Sequence, residues 1–585
     1  MHSFGTWLGP ADGTWFDSGG STSSAFGPLA TRVLSPGDRF NGLGVVMIPP
    51  VGYDHATSFR ALHVLAHELA ERGCLVARVD PFGTGDSAGL AADVTSLKAW
   101  DNAVQEGAAH VRSCGAGQVL LVGCRMGAAL AFLAAPSVEA TAVAALDPVV
   151  SGRRYVRGLQ VMSQDHDQDG VGLLVGGTEF PKSLLQEISE LDLVRDLPLP
   201  AVPCLLAARP GSPTESKLAA RLSDGGTRAE VWSCPALEGF LGVHAEQAVI
   251  DPRFTTDLTD WICRWAPGSS GIRPAPALIG AVPATPPPPD QSVKLRWRHT
   301  WVVERFVTVG TAGLAGVLTT PPDVESPSGD LVVFLNSGSE PHTGPARAWV
   351  EYGRDLATHH VSALRIDMRA WGDSPAGPGG RYEPGRPYDP HSIDDAREIV
   401  QELGQAGWDR VFLSGLCAGA WVALRVARDI KFGGVLALNP SLLYELGDPV
   451  VASADEYRKL YAADIAERKR EKRAGRWDRE DRDGLRPPAG EWLDCLVDNQ
   501  MPSSLIFCED DVGLEYLVDR LSRRLEAVQD SGYVRLHEVP EIDHSMHRTW
   551  LRWKVVKLFL DELNHWAEAA PEPRVPGREE ANPAC

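Results

Sequence analysis

Ten cysteines are spread over the 585 residues, and one of them, Cys417, sits in a setting that could do chemistry. The run RVFLSGLCAGAWVALRVA (410–427) passes from an apolar, strand-like stretch through Gly415-Leu416-Cys417-Ala418-Gly419 into a helical pattern. Glycines flanking the central residue allow a tight strand-to-helix turn, which holds the middle side chain in a strained, exposed position. A helix N-terminus beneath it favours a thiolate and a developing oxyanion. The chemistry would be nucleophilic, a thiol taking an acyl group. The plain alternative is an inert, buried cysteine on a Gly-rich turn.

Such a turn needs a sheet behind it. On both sides of a Pro-rich stretch, apolar runs alternate with helical patterns, which predicts parallel sheets with crossover helices, an α/β class. LGVVMIPP, CLVARVD, QVLLVG and AVAALDP read as strands in the first half; DLVVFLNSG, VSALRID, RVFLSG and GVLALNP take the same parts in the second. The division expected is a domain at 1–265, a Pro-rich linker at 266–294, a second domain at 295–565 with a cap at about 441–501, and a polar, disordered tail at 566–585.

The halves repeat one another. Arg60, Arg78, Asp80 and the run Gly85-Asp86-Ser87 match Arg347, Arg365, Asp367 and Gly372-Asp373-Ser374, each pair 287 positions apart. Gly123, Gly127 and Leu146-Asp147-Pro148 match Gly415, Gly419 and Leu438-Asn439-Pro440, now 292 apart. The five extra residues fit in the loop PAGPGGRYEPGRPYDPHS. The duplication predicts a pseudo-dimer.

Bulk properties exclude several classes. Hydrophobic content of 44% with 23% charged residues is a globular profile. A net charge of −21 argues against a nucleic-acid or anionic-membrane binder. No apolar run is long enough to span a bilayer, and the opening MHSFGTWLGPADGTWF has no basic start with an apolar core, so no signal peptide is expected. Sparse cysteines without CxxC pairing read as reduced thiols in the cytoplasm. Neither a metal nor a cofactor is called for.

Both halves resemble bacterial α/β-hydrolase-fold proteins of the serine-aminopeptidase-like group, the exosortase-associated hydrolases among them. The resemblance rests on PPVGYDHATSFRALHVLAHELAERG, RVDPFGTGDSAG and LVGCRMGAALA in the first half. In the second it rests on LNSGSEPHTGPARAWVEYGRDLA, RIDMRAWGDSPAG and LSGLCAGA. It implies the fold, and a reaction class only loosely. It also implies a triad in the order nucleophile, acid, histidine. Asp511 falls where the acid is expected, with Asp510 a close rival, and His544 is the base, with His547 the weaker candidate. Oxyanion donors would be the N–H of Ala418 and that of Gly338 or Ser339. Glu340 and His342 follow in the same loop and could orient substrate, or be merely solvated.

The same alignment leaves the first half silent. Arg125 stands at the nucleophile position, Ser212 opposite Asp511 and Gly239 opposite His544. An arginine stays protonated and cannot attack; Cys124 would point away from the tip, and His244 is a poor substitute base. Arg125 is expected to hold a carboxylate such as Asp147, or a ligand anion. In the second half, the cap carries Arg468, Lys469, Arg470, Lys472 and Arg473. That cluster could receive the phosphates of CoA or phosphopantetheine, or an acidic carrier domain, or be a solvated helix face.

The leading expectation is an acyl-transfer enzyme working through acyl-Cys417: a thioesterase, acyltransferase or cyclase taking a small acyl substrate, carrier-protein- or CoA-bound. A thioester intermediate is more reactive towards amines than an oxygen ester, as in natural-product biosynthesis. The alternatives are a hydrolytic esterase or peptidase, and a non-catalytic scaffold.

Overall fold

The structure, a computed structural model, describes residues 2–8, 26–163, 172–199, 201–243, 245–267, 292–324, 326–440, 491–509 and 511–569. Most of the predicted linker and cap, the basic cluster at 468–473, Asp510, His244 and residues 570–585 of the tail lie outside them.

The first half contains β1 (His2–Leu8), β2 (Leu29–Ser35), β3 (Leu43–Ile48), β4 (Leu75–Val79), β5 (Gln118–Cys124), β6 (Ala142–Leu146), a hairpin of β7 (Gly172–Val175) and β8 (Thr178–Pro181), then β9 (Cys204–Ala208) and β10 (Ala229–Ser233). The second contains β11 (Ser292–Trp297), β12 (Thr300–Val309), β13 (Leu314–Thr320), β14 (Asp330–Phe334), β15 (Ser362–Ile366), β16 (Arg410–Leu416), β17 (Gly434–Leu438), β18 (Ser503–Cys508) and β19 (Val534–Val539). The two large sheets run β1-β2-β4-β3-β5-β6-β9-β10 and β11-β12-β13-β15-β14-β16-β17-β18-β19. Pairing is antiparallel up to β4 and β15 and parallel beyond. The architecture is thus tandem α/β, each mostly parallel sheet flanked by helices.

Residue patterns explain the layers. β3 (LGVVMI) is buried throughout, as a strand covered by helices on both faces must be. β11 (SVKLRW) alternates exposed and buried, as an antiparallel edge strand does. Aromatics fill the second core: Phe334 stacks on Trp349 at 5.0 Å between ring centres, and Phe412 on Trp566 at 5.7 Å. No helix among the described residues is long and apolar enough to cross a membrane.

The repeated motifs turn out to join the halves. Arg60 donates to the carbonyls of Gly372 and Ser374 at 3.1 and 2.8 Å. Its counterpart Arg347 donates to those of Gly85, Ser87 and Gly89 at 2.7, 2.5 and 2.7 Å. This is the reciprocal exchange expected of a two-fold contact. Asp373 receives Arg78, Arg32 at 2.8 Å and His63 at 3.2 Å; Asp86 receives Arg365 at 2.6 Å and His342 at 2.7 Å. Trp7 stacks on Phe306 at 5.2 Å beside this network. The chain is a pseudo-dimer because each half carries both the arginines and the carbonyl-rich Gly-Asp-Ser turn that accepts them.

Candidate active site

Cys417 follows β16 at φ 56° and ψ −106°, capping the N-terminus of the helix Ala418–Asp429. Gly415 and Gly419 make that turn possible. A Cβ on Gly415 would lie 2.5 Å from the Gly419 carbonyl carbon, and one on Gly419 would lie 2.6 Å from the Asn336 carbonyl oxygen. The strand end and the helix start therefore approach closer than any side chain allows. Cys417 is 9% exposed, and the Tyr388 hydroxyl lies 3.4 Å from its Sγ. Tyr388 is held at φ 65°, edge-on to Trp421, at the end of the Gly/Pro-rich loop before the helix Pro390–Gln405. Sequence reasoning missed it; nothing local distinguishes one tyrosine in such a loop.

Asp511 and His544 come together beside Cys417. Asp511 follows β18 and caps the helix Val512–Asp530, one carboxylate oxygen accepting the Gly513 N–H at 2.8 Å. The other accepts from His544 Nδ1 at 2.6 Å, which fixes the tautomer and leaves Nε2 for the thiol. Burial opposes charge on the imidazole, but Asp511 and the hydrogen bond and charge of Cys417 outweigh it, raising His544 to about 10. Asn439, at φ 43°, braces the pair. Its Nδ2 donates to the His544 carbonyl at 2.9 Å and its Oδ1 accepts the Cys508 N–H at 2.7 Å.

Cys508, Asp511 and His544 offer donor atoms within 4.8 Å of one another, the spacing of a small metal site. The thiol is the weak point, because burial and Asp511 push it up to about 12 and a metal needs the thiolate. It donates to Asp511 Oδ2 instead, at 3.7 Å.

The loop after β14 is shaped from beneath. Asn336 Nδ2 donates to the Glu340 carbonyl and to Asp367, at 3.0 and 2.9 Å. That holds a tight turn at Gly338-Ser339, closed by the Glu340 N–H on the Ser337 carbonyl at 3.0 Å. Gly338 takes φ 54°, and a Cβ there would meet the Glu246 carboxylate of the first half at 2.9 Å. Ala418 is the first residue of its helix, so its N–H is among those without an intrahelical partner.

His342 does not face substrate, contrary to expectation. It is 1% exposed, with Nδ1 on Asp367 at 2.6 Å and Nε2 on Asp86 at 2.7 Å. Burial would lower it, but the two carboxylates raise it to about 10, so it is an interface cation. Glu340 and His547 line a cavity between the halves, and His547 is paired with Asp543 at 3.2 Å.

The first half keeps the shape of the turn without its chemistry. Arg125 takes φ 54° and ψ −116° at the cap of the helix Met126–Ala134. Its guanidinium holds Asp54 at 3.2 Å and Asp147 at 2.9 Å, and Arg209 also holds Asp147, at 2.8 Å. Ser212 stands at the N-cap of the helix Pro213–Asp224, the place Asp511 takes in the other half, but its hydroxyl makes no capping bond and donates to the Glu215 carboxylate instead. Cys124 is fully buried, and burial pushes its thiol up. The hairpin β7–β8 of this half reaches the histidine loop of the other. Glu179 accepts from Thr549, and a Cβ on Gly177 would meet Ala346 at 2.3 Å and His547 at 3.1 Å.

No curated protein matches the chain. Among solved structures it is similar to TT1662 from Thermus thermophilus, at 18% identity over 46% of this chain and 99% of that one, TM-score 0.31. It is similar also to XC6422 from Xanthomonas campestris, described as an α/β serine hydrolase without lid, at 17% identity over 46% and 97%, TM-score 0.28. Est1E from Butyrivibrio proteoclasticus is 14% identical over 45% and 98%, TM-score 0.32. Residues 332–556 match the family model described as the alpha/beta hydrolase family, so that stretch, from β14 to the helix after His544, is an alpha/beta hydrolase family domain.

Proposed function

We propose that the chain is a cysteine-dependent acyl-transfer enzyme, with Cys417 as nucleophile, His544 as base and Asp511 as the acid that orients it. The observation that carries this reading is the strained Cys417 turn together with the 2.6 Å His544–Asp511 contact. With His544 charged, the reactive form is a thiolate–imidazolium pair. Sγ adds to the acyl carbonyl, and the N–H groups of Ala418 and of Ser339 or Gly338 stabilise the oxyanion. His544 protonates the leaving group, giving a thioester on Cys417. It then takes a proton from water or an amine as that acceptor attacks; the acyl group leaves on the acceptor, and the thiolate–imidazolium pair is restored. With Sγ a thiolate, the Tyr388 hydroxyl 3.4 Å away would be the donor and favour that form. The donor would be an ester or a CoA- or carrier-bound thioester, in a reducing cytoplasm that keeps the thiol free.

The first half would serve as scaffold: its β7–β8 hairpin braces the histidine loop and Glu246 abuts the turn at Gly338. Initial rates on short acyl-CoA thioesters and p-nitrophenyl esters test the reading. Turnover by the unaltered chain that disappears in Cys417→Ala supports it; equal turnover by both would overturn it.

A further inference from the structure

Two of the ten cysteines meet in the first half. The sulfurs of Cys74 and Cys263 are 3.8 Å apart, although 189 positions separate the residues. The elements that carry them are fixed. Cys74 stands between the helix Tyr53–Glu71 and β4, and its N–H closes the turn on the Leu69 carbonyl at 3.0 Å. Cys263 is the last residue of the helix Pro252–Cys263. The two helices are tied together: Glu68 accepts from Thr255 and Thr259 at 2.9 and 3.4 Å, and Arg72 pairs with Asp260.

The two thiols differ. Cys74 is fully buried, and the Asn41 amide donates to its sulfur at 3.4 Å, which leaves its own S–H for Cys263. Cys263 is half-buried. The hydrogen bond from Cys74 and the charge of Arg72 lower its thiol against the effect of burial; the same hydrogen bond and burial raise Cys74. Cys263 is therefore both the more reachable sulfur and the more readily ionised one. A reachable, acidified thiol with a second thiol in contact is the arrangement of a redox-sensitive pair.

We infer that Cys74 and Cys263 are a modification site, closing to a reversible disulfide with a small disulfide oxidant of the glutathione class. The Cys263 thiolate attacks one sulfur of the oxidant, and the other half leaves as a thiolate. Cys74 gives up its proton, attacks Sγ of Cys263 in the mixed disulfide and expels the second half. Overall the protein loses two electrons and two protons, and the oxidant takes them up as two thiols. The sulfurs close from 3.8 Å to about 2.05 Å, a side-chain movement between elements already in place. The bond would join the last helix of the first half to the start of β4. Arg381 and Tyr382, in the loop that carries Tyr388, hold Glu71 and Glu68 of the neighbouring helix, so the bond forms beside the anchor of that loop. The inference does not depend on acyl chemistry at Cys417.

Peptide mass spectrometry tests it. The native full chain is held in a glutathione buffer rich in the disulfide form, acid-quenched, alkylated and digested without reduction. Within hours one peptide pair should be linked through Cys74 and Cys263, less two hydrogens, and the link should vanish when reduced glutathione is restored in excess. In Cys263→Ser, the buried Cys74 should take up glutathione at least about tenfold more slowly than the pair links in the unaltered chain. Both thiols still free, a mixed disulfide persisting on Cys263, or Cys74 in the variant reacting as fast as the pair links would overturn the inference. Should the variant fail to fold, the linkage in the unaltered chain decides alone.

Discussion

Replacing Asp86 by asparagine keeps the shape of the interface and removes one buried charge. Asp86 is 5% exposed at its side chain and touches two cations: Arg365 at 2.6 Å, itself 0% exposed, and His342 at 2.7 Å, 1% exposed. Removing one partner of a buried pair costs about 3–5 kcal/mol. Each cation here retains a second carboxylate, Glu304 at 2.8 Å for Arg365 and Asp367 at 2.6 Å for His342, so the loss belongs at the lower end, about 3 kcal/mol. With an unfolding entropy of about 2.1 cal/mol/K per residue, that lowers Tm by roughly 2–5 °C, the smaller figure if both halves unfold together. Turnover should fall as well. Asp86 holds His342, His342 holds Asp367, and Asp367 holds Asn336, which ties the turn at Gly338-Ser339. Scanning calorimetry and kcat on one preparation read both effects. A Tm within about 1 °C of the unaltered chain, with kcat unchanged, would refute the claim that this network joins the halves and supports the oxyanion loop.

The same network predicts a pH dependence. His342 is raised, so its charge stabilises the fold fully below its unfolded pKa near ~6.5 and is lost as pH rises through about 10. Asp86 is held well below the carboxylate range, so its contribution is present above about 4 and is lost as pH falls. Tm should decline from pH 6.5 to 10, and the decline should be shallower in Asp86→Asn. Tyr388→Phe removes a hydroxyl 3.4 Å from Sγ and should cut kcat/KM by roughly 10-fold or more with Tm nearly unchanged, since a hydrogen bond to a charged group is worth about 1.5–3 kcal/mol; unchanged kcat/KM would remove Tyr388 from the site. Arg125→Ala strips a cation from Asp54 and Asp147 and should cost about 3 kcal/mol by denaturant titration while leaving kcat in place; loss of kcat at unchanged stability would bring the first half into the chemistry.

What is legible in the sequence follows local rules. Gly415 and Gly419 around Cys417, between an apolar run and a helical one, dictate the turn on local grounds alone. The order of Cys417, Asp511 and His544 along the chain follows the strand order. Spacing of the Arg, Asp and Gly-Asp-Ser repeats marks the duplication. The use made of those repeats is hidden, because a motif read along one half gives no sign that its arginine will donate to the equivalent turn of the other. His342 defeats sequence reasoning for the same reason: its two carboxylate partners are distant, Asp367 by 25 positions and Asp86 by 256. Tyr388 and Glu340 gain their settings from tertiary contacts, with no periodicity to signal them.

The central claim, a covalent acyl intermediate on Cys417, is tested most directly by intact-protein and peptide mass spectrometry after rapid acid quench of the full chain with a slow acyl-CoA. The account predicts one added acyl mass, confined to the peptide that holds Cys417, absent in Cys417→Ala and accumulating in His544→Ala only at a much reduced rate. An acyl adduct elsewhere, or turnover with no adduct at Cys417 at any quench time, would contradict it.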